Sequence, residues 1–389
     1  MSSPIIILKN LLQYPSITPK DAGAFSFLEE FCNQLGGISQ RITFQEKGTE
    51  DVENFYASIG HGEKHLLFAG HIDVVPPGDR KLWRFDPFTP TEENGYIFGR
   101  GAVDMKGGIA CFLAAIKRYL QNPENKGRIS LAITADEEGP AINGTVKLMQ
   151  WLQQKGEKFH AAIVGEPTCQ NEIGDMIKIG RRGSLSATLT ITGIQGHVAY
   201  PQNASNPLSA IAMLIQELEK NPLDKGSQSF PPSHLEFTTI DSNNPTTNLI
   251  PAHVKATFNI RYNDYWTAAT LQKEIKDKID NILQLYQQKT NKLIKHEIIW
   301  QKNPAEAFLT KNEKLITAMK NAIQINCNLK PELSTSGGTS DARFIKNYCP
   351  VIEFGLTNKT MHQANEAVPN ADLEKLTNIY ETFLKNFFQ

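Results

Sequence analysis

The sequence predicts an α/β chain: a mainly parallel mixed sheet with helices on both faces, interrupted by a smaller ferredoxin-like α+β module. Three observations predict it. Along residues 1–180, short apolar runs of strand length alternate with segments of helical periodicity, the pattern of a parallel sheet. Just past Gly180 the pattern becomes one of alternating apolar and polar residues, which suits a sheet with one polar face. At 389 residues the chain is long enough for two domains, one set inside the other.

The elements follow in order. Apolar residues recur with helical spacing from residue 4 to 14, and Pro15 stops that helix. Residues 21–35 form a second helical pattern, with Asp21 as cap and Gly36-Gly37 as exit. Residues 41–45 and 54–59 read as strands, and a polar turn leads to the apolar run His65-Leu66-Leu67-Phe68-Ala69. Met105-Lys106-Gly107-Gly108 opens a helix over 109–120. A strand over 128–135 ends in Asp136-Glu137-Glu138-Gly139, a helix covers 146–153, and a strand over 159–164 ends in Gly165-Glu166-Pro167-Thr168. Residues 181–301 read as strand, helix, two strands, helix, strand, the ferredoxin-like order. The first domain therefore comprises 1–180 and 302–389, the latter with a helix over 312–325, a polar loop over 334–341, a strand over 351–354 and a final helix over 371–388.

Composition narrows the function. Apolar content of 40% and charged content of 21% fit a water-soluble globular protein. A net charge of −1 leaves no electrostatic footprint for nucleic acid or an anionic membrane. No apolar run reaches the length of a membrane span, and Ile5-Ile6-Ile7-Leu8 is too short for a signal segment and lacks a basic flank. Cys32, Cys111, Cys169, Cys327 and Cys349 are odd in number and far apart, which argues for buried thiols in a reducing, cytoplasmic setting.

The chemistry lies where buried strands stop. His71 and Asp73 are two apart on an extended segment and point the same way. Asp104 sits between glycines, and Asp136, Glu137 and Glu138 are consecutive acids that repel one another unless a cation lies among them. Ligands in such sheets bind at strand carboxyl ends, so His71, Asp104, Glu138, Glu166 and His362 are expected to converge on one edge. Nitrogen and carboxylate donors without thiolate suit Zn²⁺, with Co²⁺ or Mn²⁺ as substitutes. Five ligands exceed the three usual for one catalytic ion, so two ions with a bridging carboxylate are expected. Glu137, beside ligand Glu138, suits a general base, and Asp73 can hydrogen-bond the far nitrogen of His71 and fix its tautomer. His61, His65, His160, His234, His253 and His296 have no motif around them and read as ordinary histidines.

These residues carry a resemblance over nearly the whole chain. Gly70-His71-Ile72-Asp73-Val74-Val75-Pro76, residues 99–108 (GRGAVDMKGG), Asp136-Glu137-Glu138-Gly139, Gly165-Glu166-Pro167-Thr168 and Met361-His362-Gln363 are similar to the motifs of the dinuclear zinc aminoacylase/carboxypeptidase family of metallohydrolases. Gly180-Arg181-Arg182-Gly183-Ser184 and residues 336–344 (SGGTSDARF) mark one branch of that family. The resemblance implies a zinc-peptidase-like catalytic domain with two Zn²⁺ per chain. In it Asp104 bridges, His71 and Glu166 bind one ion, Glu138 and His362 bind the other, and Glu137 is base and then acid. It also implies a cis peptide after Asp104, and a homodimer joined through the inserted domain, whose His197 reaches the partner's site as an oxyanion donor.

A small amide substrate with several carboxylates is implied as well, with Arg181, Ser184, Tyr200, Asn248, Arg261 and Thr339 as its contacts by matching segment. Arg181 and Arg261 suit bidentate carboxylate recognition. Two alternatives stay open: a sister deacylase with the same metal site, and a non-catalytic metal-binding scaffold on the same fold.

Overall fold

The computed structural model describes residues 3–220 and 222–389. The chain divides into two compact units: residues up to Ile179 with Thr310–Ser334 and Ser340–Gln389, and Gly180–Leu309 with Thr335–Thr339. The inserted unit thus takes in Gly180 and residues 302–309 and 335–339 besides the 181–301 drawn from periodicity. Phe308–Leu309 pairs with Gly180–Arg181, and Tyr262 donates its hydroxyl to the Ala305 carbonyl at 2.8 Å, which ties this returning segment down.

The first unit is built on an eight-stranded sheet. Its order is Ile38–Phe44, Val52–His61, Gly127–Thr134, His65–His71, Ala161–Val164, Val351–Glu353, Met176–Lys178 and Glu332–Ser334. His65–His71 runs parallel to both neighbours, and Val351–Glu353 runs parallel to Ala161–Val164. The two strands at the Ile38 edge are antiparallel, so the sheet is mixed, with a parallel centre. Every residue of His65–His71 is buried, so both faces of this strand are covered, as its unbroken apolar run requires. Helix Lys106–Tyr119 packs its Phe112 ring on Phe68, centroids 4.0 Å apart, and Tyr380 of helix Asn370–Phe388 closes the cluster edge-on. Parallel register brings His71 opposite Thr134 and Ala69 opposite Val164. The carboxyl ends of three strands therefore lie side by side.

Two features were not foreseen. Met176–Lys178 and Glu332–Ser334 extend the sheet, and Thr91–Glu93, Tyr96–Phe98 and Ala367–Pro369 form a separate three-stranded sheet. Runs of three residues are too short for a period of two to register.

The second unit has a four-stranded antiparallel sheet in the order His234–Asp241, His253–Tyr262, Gly183–Thr192, Lys295–Trp300. With helices Pro207–Lys220 and Ala268–Thr290 this is the ferredoxin-like connection. Leu185, Leu189 and Ile191 face the core with Leu271, Ile275 and Ile279 of the long helix. That helix starts on a capping box, in which Thr267 and Thr270 satisfy each other's backbone N–H. Among the described residues no helix is long and apolar enough to cross a membrane.

Candidate metal centre

His71 is the last residue of its strand and is almost fully buried. Its Nδ1 lies 2.8 Å from the backbone oxygen of Asp73, which places the proton of a neutral ring on Nδ1 and leaves Nε2 as the nitrogen able to bind a cation. That Nε2 faces Asp104 Oδ1 at 3.1 Å and Glu166 Oε1 at 3.7 Å. Asp104 stands just before helix Lys106–Tyr119, and the Asp104–Met105 peptide is cis. The other carboxylate oxygen, Asp104 Oδ2, lies 3.0 Å from His362 Nε2, which in turn lies 2.8 Å from Glu138 Oε1. Asp104 thus offers one oxygen to each imidazole. His71 has Glu166 on its side, and His362 has Glu138 on the other.

The Gly107-Gly108 step explains how the helix comes so close. A Cβ on Gly107 would collide with the Ala102 carbonyl oxygen, and one on Gly108 with the Gly165 carbonyl oxygen, beside Glu166. Only glycine lets the helix start sit against the strand end that carries a candidate ligand.

Four acids, Asp104, Glu137, Glu138 and Glu166, share this space with two imidazoles. Shielding from water and the neighbouring Glu166 push Glu137 well above the usual carboxylate range. Burial works against a charged His71, yet Asp104, Glu137 and Glu166 together raise its pKa well above the ordinary value. Hydrogen bonding to Asp104 and Glu138 lifts His362 to about 10. The cluster therefore demands positive charge, which in a ring of bare nitrogen and carboxylate donors a divalent cation supplies. Ligand atoms of His71, Asp104 and Glu138 lie within 4.8 Å of one another, as do those of His71, Glu137 and Glu166. The donor set and its spacing fit metal ions.

Asp73 requires a correction. Its carboxylate was expected on the far nitrogen of His71, but its backbone carbonyl takes that place and the carboxylate stands 3.7 Å away. The carboxylate instead accepts the N–H groups of Glu138 at 3.0 Å and Glu137 at 3.3 Å. These two N–H groups take one oxygen each and hold the carboxylate toward the Glu137–Glu138 backbone rather than the ring. Asp73 consequently orients the backbone of Glu137 and Glu138.

Two further acids near the site have roles that the sequence does not assign. Asp136 accepts the N–H groups of Ala141, Ile142 and Asn143 and so folds the loop behind Glu138. Asp341, buried, accepts the Thr145 hydroxyl at 2.6 Å. Acidity in a strand-end triplet was the signal for Asp136, whereas Asp341 was quoted only within the 336–344 segment, with nothing there to give its carboxylate a role of its own.

The remaining predicted residues lie in the second unit. His197 pairs with Leu249 across a short ladder, beside exposed Asn248, and its ring lies 5.9 Å from that of Tyr200. His197 Nδ1 accepts the Ala199 N–H at 3.0 Å, so its neutral ring carries the proton on Nε2 and can donate. Ser184 and Arg261 are register partners in the antiparallel sheet, and Arg181 donates to the Gly338 carbonyl at 3.2 Å, one residue from Thr339.

A cluster of imidazoles and carboxylates from strand ends and two loops of this sheet has the donor set of a hydrolytic metal centre. A family profile described as peptidase family M20/M25/M40 matches residues 67–386, and the chain belongs to that family. Its fold is similar to an M20 family metallo-carboxypeptidase from Sulfolobus solfataricus, with 19% identity, 100% of both chains covered and a TM-score of 0.77. It is also similar to aminopeptidase PepT from Bacillus cereus, with 17% identity, 99% of this chain and 98% of that one covered, and a TM-score of 0.78. The Bacillus subtilis protein YXEP, described as a dinuclear metal-binding peptidase of the M20 family, matches at 14% identity, 99% and 96% coverage and a TM-score of 0.70.

Proposed function

We propose that this chain is a succinyl-diaminopimelate desuccinylase, which hydrolyses N-succinyl-LL-2,6-diaminopimelate to succinate and LL-2,6-diaminopimelate. The observation that carries the hydrolytic part is Asp104, with one carboxylate oxygen toward His71 and the other toward His362. His71 and Glu166 would hold one zinc ion, Glu138 and His362 a second, and Asp104 both. Bound ions would polarise the amide carbonyl and acidify the attacking water.

The chain's own residues do the rest. Glu137, poised by its neighbours to take up a proton, accepts one from water and later gives it to the departing amine nitrogen. Asp73 keeps Glu137 and Glu138 in place through their N–H groups. His197 of a second copy of the chain donates its Nε2–H to the oxygen that gains charge during attack. This asks for a homodimer joined through the inserted unit. Arg181 and Arg261 would take substrate carboxylates, with Ser184, Tyr200, Asn248 and Thr339 as hydroxyl and amide partners. The branch assignment rests on the Arg181-Arg182-Gly183-Ser184 and 336–344 segments. Five free cysteines support a reducing, cytoplasmic setting.

The nearest rival is N-acetylornithine deacetylase activity on the same centre. Turnover of N-succinyl-LL-2,6-diaminopimelate and of N-acetylornithine by zinc-loaded protein separates the two. The succinyl substrate is expected to have the higher kcat/KM by orders of magnitude. Preference for acetylornithine, or no turnover of the succinyl compound, overturns the assignment.

A further inference from the structure

Of the candidate metal-binding residues, His71 ends a buried strand, and Glu138 and Glu166 follow closely on the ends of two others. Asp104 and His362 do not share that support. Asp104 lies on the loop between strand Tyr96–Phe98 and helix Lys106–Tyr119, and His362 on the loop after strand Val351–Glu353. Yet their atoms meet at 3.0 Å. Something must hold two loops from distant parts of the sequence at that spacing.

Arg100 and Glu366 are placed to do so. Both are buried, Arg100 at 2% exposure and Glu366 at 0%, and they pair at 2.8 Å. A buried ion pair is a poor device for stability alone, because desolvation offsets most of its attraction. The hydrogen bonds around this one are more informative. Glu366, from the His362 loop, accepts four donors of the Asp104 loop: Arg100 Nη1 and Gly101 N on one oxygen, Val103 N and Asp104 N on the other, all between 2.8 and 3.1 Å. Arg100 reaches back the other way, donating to the carbonyl oxygens of Gln363 at 3.2 Å and His362 at 3.4 Å. Each loop thus grips the backbone of the other. The grip falls on a demanding conformation, because His362 has φ +61°, which a side chain with a Cβ adopts only when its surroundings hold it there. Trp83 lies over the Arg100 guanidinium, 5.1 Å from ring centre to Cζ.

The geometry points to Arg100 and Glu366 as a positioning pair that sets the spacing between Asp104 and His362, and with it the affinity of the centre for its second ion. This rests on the reading of those two residues as metal ligands. The residue types fit the task. A carboxylate has acceptor sites for four donors, whereas a glutamine would turn an NH₂ group toward two of them. A lysine at 100 keeps the charge and loses the planar fork that reaches Glu366 and both carbonyls at once.

The test is zinc titration of chelator-treated protein by calorimetry, comparing the unaltered chain with Glu366→Gln. Circular dichroism reports folding, and the absorption spectrum of the cobalt form reports ligand geometry. Glu366→Gln is expected to fold, to bind one ion about 10–100-fold more weakly and to shift the cobalt spectrum. At saturating zinc its KM should stay near that of the unaltered chain, with kcat recovering as zinc is raised. A folded variant with unaltered affinity for both ions and an unaltered cobalt spectrum overturns the proposal. If Glu366→Gln does not fold, Arg100→Lys decides: about tenfold weaker binding of one ion supports the pair, and unaltered affinity refutes it. An unaltered chain that binds fewer than two ions defeats the two-ion reading itself, and that result is seen before any variant is made.

Discussion

Glu137 carries the proton in this account, and its surroundings explain how. Shielding from water and the Glu166 carboxylate raise its proton affinity, while Asp73 fixes its backbone. Glu137→Gln keeps the shape and removes the basic oxygen. Its kcat is expected to fall by about 10²–10⁴ while the metal content stays unchanged, as steady-state kinetics and metal analysis on one preparation will show. Turnover within a few-fold of the unaltered chain removes Glu137 from the mechanism. At this scale the sequence was informative where a polar residue closes an apolar run, as with His71, Glu138 and Glu166. It was less so for Asp73, because a spacing of two gives a direction but does not say whether a carbonyl or a carboxylate reaches the ring. Arg100 and Glu366 were not legible at all, since their pairing joins positions 266 residues apart and no local pattern announces it.

The elements show the same division. Long apolar or periodic segments were read close to their true bounds, and so was the short apolar strand Val351–Glu353, while the more polar three-residue strands such as Thr91–Glu93 and Glu332–Ser334 left no trace because their pairing is decided by tertiary context. Two consequences follow for single elements. Gly108→Ala places a methyl group against the Gly165 carbonyl oxygen at the start of helix Lys106–Tyr119. Overpacking at a backbone contact is expected to cost about 1–3 kcal/mol, read as a lower urea midpoint with an unchanged slope. An unchanged midpoint shows that the helix and strand end have room to part. The second concerns His65, at the opposite end of the strand from His71. Its Nε2 lies 2.8 Å from the Ser130 hydroxyl and its Nδ1 3.0 Å from the Lys158 carbonyl. Burial, aided by the Arg128 charge, lowers its pKa from the ordinary 6.5 to about 4. The folded chain therefore binds fewer protons here than the unfolded chain between those values, so the His65 contribution to stability is full above pH 6.5 and is lost as pH falls toward 4. His65→Gln should lose less stability than the unaltered chain between pH 7 and pH 4.5, by urea unfolding. Equal losses in the two proteins contradict that.

Across the whole molecule, the candidate metal ligands and Glu137 belong to one compact unit, and His197 to the other. Mixing His197→Ala chains with Glu137→Gln chains tests the proposed exchange between copies. Each is expected to be nearly inactive alone, and heterodimers to regain activity toward half that of the unaltered dimer, since one of the two sites then has both groups intact. Verified heterodimers without recovered activity place His197 outside the partner's site. The proposed hydrolysis requires the cluster of His71, Asp104, Glu138, Glu166 and His362 to be a centre for two ions. The most direct measurement is the metal content of reconstituted, extensively dialysed protein, followed alongside amide hydrolysis as zinc is returned. The account predicts a limit of two ions per chain, with full activity reached only as the second site fills. A firm limit of one ion per chain at full activity, or hydrolysis that survives complete metal removal, contradicts it.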